Sequence, residues 1–254
     1  MSYDSGLDKL MKDGWSYRLR GSGGSDDDTL KSIVERTATE ITLPSDLTKI
    51  GDYAFCICRN LALTSLPSGL TSIGNNAFQN CSELTLTSLP SGLTSIGSDA
   101  FRYCNKLALT SLPSGLTKIG QYAFSNCTNL ALTSLPSGVK TIDNCTFNAC
   151  TNLALTSLPS GVYAIGISAF SGCSKIALTS FPTPLQSIGS SAFKNCTGLT
   201  SITFEGKPIS TINSSAFSGC TNLKIINVPW AEGEVKNAPW GATNATINYN
   251  YTGG

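Results

Sequence analysis

The residues best equipped for chemistry in this 254-residue chain are its ten cysteines. Eight of them recur in register, at Cys58, Cys81, Cys104, Cys127, Cys150, Cys173, Cys196 and Cys220. Such a ladder could serve redox exchange, metal binding or cross-linking, since neighbours one repeat apart would fall in the ~4.4–6.8 Å Cα range of a disulfide. Side chains repeated in register run parallel, however, and a disulfide needs them crossed near ~90°. The reading is therefore a column of buried thiols, each acting as a small hydrophobe. Cys56 and Cys145 lie off the ladder and are expected to be partly exposed. The Cys56-x-Cys58 pair is too short and too isolated for a zinc site. Histidine is absent, which removes the usual general base and the Ser-His and Cys-His nucleophile pairs. Glu83, Asp99 and Glu205 are scattered, and no ladder contains a carboxylate. No catalytic, cofactor-binding or metal-binding residue is assigned, and the chain reads as a non-enzyme. Asn-x-Ser/Thr triplets at Asn80, Asn126, Asn144, Asn195, Asn213 and Asn244 mostly follow from the Asn-Cys-Thr/Ser edge of the repeat, and they carry little weight as glycan acceptors.

The cysteines are placed by a 23-residue unit, Leu-x-x-Ile-Gly-x-x-Ala-Phe-x-x-Cys-x-x-Leu followed by a short strand and Pro-Ser-Gly. Phe55, Phe78, Phe101, Phe124, Phe147, Phe170 and Phe193 mark the period, and Phe217 follows 24 residues later. Isoleucine recurs five residues before each Phe, from Ile50 to Ile188, and Leu or Val eight before it. A fixed period of this length signals stacked coils with a shared interior. The spacing implies stacked coils, and the chain reads as an α/β solenoid, a right-handed superhelix of about eight 23-residue coils with caps at both ends. Gly51, Gly74, Gly97 and Gly120 sit where each coil turns, and Asp143 and Asn213 replace glycine there. Glycine, Asn and Asp tolerate positive φ best, so these positions are expected to be left-handed corners. Prolines such as Pro113 and Pro136 end each strand.

The division expected along the chain is a segment with a Gly/Ser linker at 1–25, a helical cap at 26–40, the solenoid at 41–228 and a Trp-bearing cap at 229–254. The Gly21–Ser25 stretch reads as flexible. A short helix is expected over about 27–36, with acidic residues before it and Leu30, Ile33 and Val34 on one face. A net charge of +1 gives no long-range attraction to nucleic acid or anionic lipid. No apolar run approaches the ~18 residues of a membrane span, and the opening MSYDSGLDKLMKDG lacks a signal-peptide core.

The motif IGxxAFxxCxxL with its following Leu-Pro strand, eight times over from about Ile41 to Val228, resembles the BspA-like leucine-rich repeats of the Treponema/Bacteroides type. The resemblance implies a curved solenoid with a parallel sheet inside the curve, and adhesins or host-contact proteins of bacterial surfaces. The flanks LKSIVERTATEITLP and NVPWAEGEVKNAPWGATNATINYNY are similar to segments of repeat proteins encoded among tail genes of phages of gut bacteria. The implied role is contact with a cell-surface protein or glycan, on a cell surface or a virion, without catalysis.

Two faces are candidates for that contact. The first, seventh and last strands read Ile41-x-Leu43, Ile202-x-Phe204 and Ile226-x-Val228, whereas the six middle strands read Leu-x-Leu-Thr-Ser-Leu. In a common frame the Thr would point inward and Leu63, Leu86, Leu109, Leu132, Leu155 and Leu178 would form an exposed apolar stripe, which is a partner surface. The opposite reading places a local bulge in each middle coil that turns these leucines in, gaining ~1.5–3 kcal/mol each, and leaves a regular threonine array outside, with an ice- or crystal-binding surface as its distant consequence. The second face is the loop edge around each Phe, where residues vary most and where Tyr53, Arg102, Tyr103 and Tyr122 gather. The alternative to a receptor-binding role is an assembly module or spacer that self-associates through its repeat face.

Overall fold

A computed structural model describes residues 17–19, 29–33, 39 and 41–253 of the chain. Along it run strands β1 (Tyr17–Leu19), β2 (Thr29–Ile33), β3 (Lys49–Ile50), β4 (Ser72–Ile73), β5 (Ser95–Ile96), β6 (Lys118–Ile119), β7 (Thr141–Ile142), β8 (Ala164–Ile165), β9 (Ser180–Phe181), β10 (Ser187–Ile188), β11 (Ser201–Phe204), β12 (Thr211–Ile212), β13 (Ile225–Asn227) and β14 (Thr246–Asn248). No helix occurs among the described residues. The stack is a β-solenoid of about nine turns, with parallel pairing from coil to coil.

Each coil has three sides, and each side is held by its own hydrogen bonds. The first is the two-residue strand ending in the repeat Ile. Strand β4 pairs with β3 as Ile73 over Ile50, and β5 with β4 as Ile96 over Ile73. The second is the Ala-Phe loop, in which alternate N–H groups donate to the next coil: Tyr53 to Asn75, Phe55 to Ala77 and Ile57 to Gln79, at 2.7–2.8 Å. The third carries Leu-x-Leu-Thr-Ser-Leu-Pro. It is regular strand only late in the chain, where β9, β11, β13 and β14 form one sheet. In the middle coils it keeps a single bond per coil, such as Ala131 N–H to the Leu109 carbonyl at 3.0 Å. The strand expected there is thus largely displaced to the Ile side. A turn closes each coil, with Leu116 N–H donating to the Pro113 carbonyl at 3.0 Å.

The repeat glycines do not occupy left-handed corners: Gly51, Gly74, Gly97 and Gly120 are absent from the positive-φ residues. Their role is close approach. A Cβ on Gly97 would lie 2.6 Å from the Asn75 nitrogen and from the Gly74 carbonyl carbon of the preceding coil. A side chain there would collide with backbone that has nowhere to go. The left-handed positions lie two and six residues further on, in the Ala-Phe loop. They include Tyr53 and Ile57, Asn76 and Asn80, Asp99 and Tyr103, and Tyr122 and Asn126, with φ between 55° and 65°.

The core is the set of ladders. Phe55 to Phe217 stack with ring centroids 5.0–5.6 Å apart and planes within 15°. These offsets suit ring quadrupoles better than face-to-face contact. Seven ladder thiols each donate to the carbonyl of the Phe 26 or 27 residues earlier, for example Cys127 Sγ to Phe101 O at 3.0 Å. The same carbonyls accept the N–H of the Cys three residues on, as Phe101 O does from Cys104 at 3.0 Å. All ten cysteines stand as thiols. Cys145 is partly exposed as expected, but Cys56 is buried.

The ends differ from expectation. Thr29–Ile33, expected as helix, is strand β2, which pairs parallel with β3 and antiparallel with β1. The rest of the expected helix and the Gly/Ser linker lie outside the described residues. At the other end the repeat continues past Val228. Trp240 falls 23 residues after Phe217, its carbonyl accepts the Phe217 N–H at 2.9 Å, and β14 stacks parallel on β13. Trp240 and Trp230 are both buried. Residues 229–250 therefore form a degenerate ninth turn.

Candidate functional site

The six leucines proposed as an exposed stripe are core residues. Leu86, Leu109, Leu132 and Leu155 are 0% exposed, Leu178 is 1% and Leu63 is 8%. Thr64, Thr87, Thr110, Thr133, Thr156 and Thr179 face solvent instead. No bulge is needed, because the frame shifts without inserting a residue. In a late coil the inward residues after Cys196 are Leu199, Ile202 and Phe204, at intervals of three and then two. In a middle coil those after Cys127 are Leu130, Leu132 and Leu135, at intervals of two and then three. The two-residue outward step moves from before the second inward residue to after it, and a bend at Thr133 marks the place. The apolar stripe is thereby replaced by a file of Thr-Ser pairs.

The aromatic and charged candidate side chains concentrate on the Ala-Phe loop edge. Arg102, Tyr103 and Tyr122 come together there, while Tyr53 stands two coils away. The Arg102 guanidinium lies 5.0 Å from the Tyr103 ring centroid and 4.8 Å from that of Tyr122. Its Nη1 donates to Asp99 Oδ1 at 3.0 Å and its Nη2 to the Tyr103 hydroxyl at 3.5 Å. The Nε is buried without a partner. Burial works against the charge, but the hydrogen bonds to Asp99 and Tyr103 outweigh it and hold the Arg102 pKa above its ordinary value. Hydrogen bonding with Cys145, together with its charge, pushes the Tyr122 hydroxyl up. Tyr53 and Tyr103 are 57% and 38% exposed, and Ile57 is 36%.

These side chains sit on strained backbone. Tyr53 (φ 59°) and Tyr122 (57°) share a left-handed row with Asn76, Asp99 and Ser168, and Ile57 (65°) and Tyr103 (62°) share one with Asn80, Asn126 and Gly172. Left-handed backbone costs an L-residue ~1–2 kcal/mol, least for Gly, Asn and Asp. Bulky residues in such rows are held against local preference, which is a mark of functional positions. The signal that finds them in a sequence is an aromatic in a column of Asn, Ser and Gly.

A second feature, which the sequence reading did not single out, lies on the solvent side of β3 to β6. A cleft of about 610 Å³ is lined by Lys49, Asp52, Ser72, Asn75, Ser95, Ser98 and Lys118 together with the strand Ile and Gly residues. Its walls are braced by side-chain ladders. Asn75 N–H donates to Asp52 Oδ1 at 2.6 Å, Ser98 N–H to Asn75 Oδ1 at 2.8 Å, and the Thr94 hydroxyl to the Thr71 carbonyl at 3.1 Å. Among the described residues no group of three or more His, Cys, Asp or Glu could hold a metal ion, and no helix is long and apolar enough to cross a membrane.

Comparison with solved structures returns leucine-rich repeat proteins of several bacteria. The chain is similar to a leucine-rich repeat protein from Bacteroides ovatus, with 23% identity over 92% of this chain and 75% of that one and a TM-score of 0.49. It is similar to a leucine rich cell surface protein from Faecalibacterium prausnitzii, with 22% identity, 99% and 95% coverage and a TM-score of 0.48. It is also similar to the T. pallidum leucine-rich repeat protein, with 24% identity, 84% and 81% coverage and a TM-score of 0.42. A comparison with curated proteins finds no match. The profile of the "BspA type Leucine rich repeat region" matches residues 34–154 and 150–238 in six copies. With that profile spanning most of its length, the chain belongs to the BspA type leucine-rich repeat family.

Proposed function

We propose that this chain is a non-catalytic binding scaffold that recognises a cell-surface protein or glycan, in a bacterial surface setting, through the edge carrying Arg102, Tyr103 and Tyr122. The family supports the general role, since its solenoids are typically binding or adhesion scaffolds and are often found on cell surfaces. One observation carries the choice of edge: an arginine held between two tyrosine rings on left-handed backbone. Arg and Tyr dominate interface hot spots, and a pre-stacked pair loses little side-chain freedom on binding. Most of the remaining surface is Ser, Thr and Asn repeated from coil to coil, which offers few distinctive contacts. The likeness of the flanks to phage tail-gene proteins finds no support in the comparisons, so the proposal rests on the cell-surface setting.

The test begins with labelled protein on an array of bacterial and host glycans and of cell-surface ectodomains. For any ligand found, the triple variant Arg102→Ala, Tyr103→Ala, Tyr122→Ala is expected to bind roughly 30-fold more weakly or worse, with its thermal midpoint within a few degrees. Undiminished affinity overturns the assignment of this edge. The assembly alternative would have to use the Thr-Ser file, because the leucines are buried. Light scattering that shows a defined oligomer, lost on Thr110→Lys and Thr133→Lys, would favour it.

A further inference from the structure

Among the described residues, the Ile-side ladder that runs from β2 to β12 is interrupted once. Strands β6 and β7 belong to consecutive coils yet lie in different sheets, the one ordered β1 to β6 and the other β12-β10-β8-β7. At the flanking junctions the residue after the Ile donates to the Ile one coil earlier. Gly97 reaches Ile73 at 2.8 Å, Gly120 reaches Ile96 at 2.9 Å, Gly166 reaches Ile142 at 2.7 Å and Gly189 reaches Ile165 at 2.9 Å. A second bond runs beside each of these, such as Thr117 to Thr94 at 3.0 Å and Tyr163 to Lys140 at 3.0 Å. Neither Asp143 to Ile119 nor Lys140 to Thr117 is bonded.

The cause is the residue in the glycine slot. A Cβ at this slot in neighbouring coils meets the preceding backbone at 2.5 Å for Gly120, 2.7 Å for Gly166 and 2.7 Å for Gly189. Asp143 has that Cβ, so its coil stands off. Asn213 also fills a glycine slot but keeps its bond to Ile188 at 3.0 Å. Its coil has one residue more, since Phe217 follows Phe193 by 24, and the Asn213 amide oxygen turns aside to the Ser215 N–H and hydroxyl. The Asp143 coil has no such slack. It also loses the threonine ladder, because Lys140 follows Thr71, Thr94 and Thr117, which each bond to the coil before.

The other two sides remain closed at this junction. Phe124 N–H donates to Thr146 O at 2.9 Å and Ala154 to Leu132 at 3.0 Å. Cys150 Sγ reaches Phe124 O at 3.0 Å, and the Phe124 and Phe147 rings stay 5.6 Å apart. Thr146, which replaces the repeat Ala in this coil, adds hydroxyl bonds to Asp143 O at 2.9 Å and Gly120 O at 3.4 Å. The junction is thus unzipped on the strand side and buttressed on the loop side.

We propose that the Asp143 coil is a joint, at which two arms of the solenoid open and close on the strand side about the intact Phe–Cys core. The arms present different surfaces on that side. The polar cleft from Lys49 to Lys118 lies on the first arm and ends at the joint. The second carries Tyr163 and Ile167, 44% and 52% exposed, at either end of the segment around β8. The joint sets the angle between these surfaces, so a partner that spans both selects one opening. The inference stands apart from the binding edge proposed above, and its test needs no ligand.

The test is amide hydrogen exchange read residue by residue on the full chain. The amides of Lys140 and Asp143 are expected to exchange at least roughly tenfold faster than those of Thr117, Gly120, Tyr163 and Gly166, whose ladder bonds are made. Asp143→Gly is expected to slow both to the rate of their neighbours. Equal protection in the wild type, or fast exchange at 140 that survives Asp143→Gly, would overturn the joint. Gly97→Asp serves as the converse: it should unprotect Thr94 and residue 97, and retained protection in the folded variant would count against the wedge. Should that variant not fold, the wild-type and Asp143→Gly comparison decides alone.

Discussion

At the scale of single residues the ladder thiols are the most informative groups. Burial raises the thiol pKa along the ladder from Cys81 onward, and Cys220, at the least buried end, is still pushed up to about 11 from 9.0. Cys104, Cys127 and Cys173 are pushed well above that ordinary value, again chiefly by burial. A raised acid pKa means that the folded chain holds its protons while the unfolded chain releases them above about pH 9. Stability is therefore complete below pH 9 and falls as pH climbs toward the folded values, by up to about 1.4 kcal/mol per pH unit for each such thiol. Thermal midpoints measured from pH 7 to 11 should be flat at first and then drop steeply; a flat profile to pH 11 would contradict the buried ladder. Tyr53→Asn exchanges a bulky side chain for one that favours its left-handed backbone, and denaturant titration should find it about 1 kcal/mol more stable than the wild type. The thiol column and the Phe stack are legible in the sequence, because identical residues at a constant period can only share one environment. The orientation of Leu132 against Thr133 is not legible from strand alternation. The decisive feature is which of two intervals holds the extra outward residue, and both arrangements have the same total length.

At the scale of the element, the repeat glycine is a spacing device between coils. The sequence marks the position correctly but suggests the wrong reason, since a glycine conserved in register can serve either positive φ or close approach, and only the neighbouring coil discriminates. Gly97→Ala should destabilise by about 2 kcal/mol or more, because its methyl group would meet backbone at 2.6 Å and backbone cannot yield as a side-chain tip can. Calorimetry on that variant, compared with Gly115→Ala, where a Cβ meets nothing within 4 Å, separates crowding from the general effect of losing glycine. The strand side, too, differs from what the sequence suggests. Alternating Leu residues look more strand-like than a lone Lys-Ile or Ser-Ile dipeptide. Yet the regular strands of the middle coils lie on the Ile side, where the repeat glycines let the backbones of adjacent coils meet.

At the scale of the molecule, each coil touches only its neighbours, so stability is a sum of coil and junction contributions. The ends and the weakest junction then govern cooperativity. Trp240 closes the far end, and Trp240→Ala should cost about 3–5 kcal/mol by leaving a cavity, seen as an earlier transition in denaturant. The count of about eight coils read from Phe and Cys roughly matches the stack of about nine turns, the last of which carries Trp240 where the period calls for Phe and has no cysteine after it. The packing of the whole stack depends on the Phe, Cys and Leu columns facing inward and the Thr-Ser file facing out. Its most direct test is a pair of adjacent lysine substitutions in one coil, followed by thermal unfolding. Thr133→Lys is expected to leave the midpoint within a few degrees of the wild type, whereas Leu132→Lys, which buries an unpaired charge, is expected to unfold the chain or lower the midpoint by more than about 10 °C. Equal losses, or the reverse order, would contradict it.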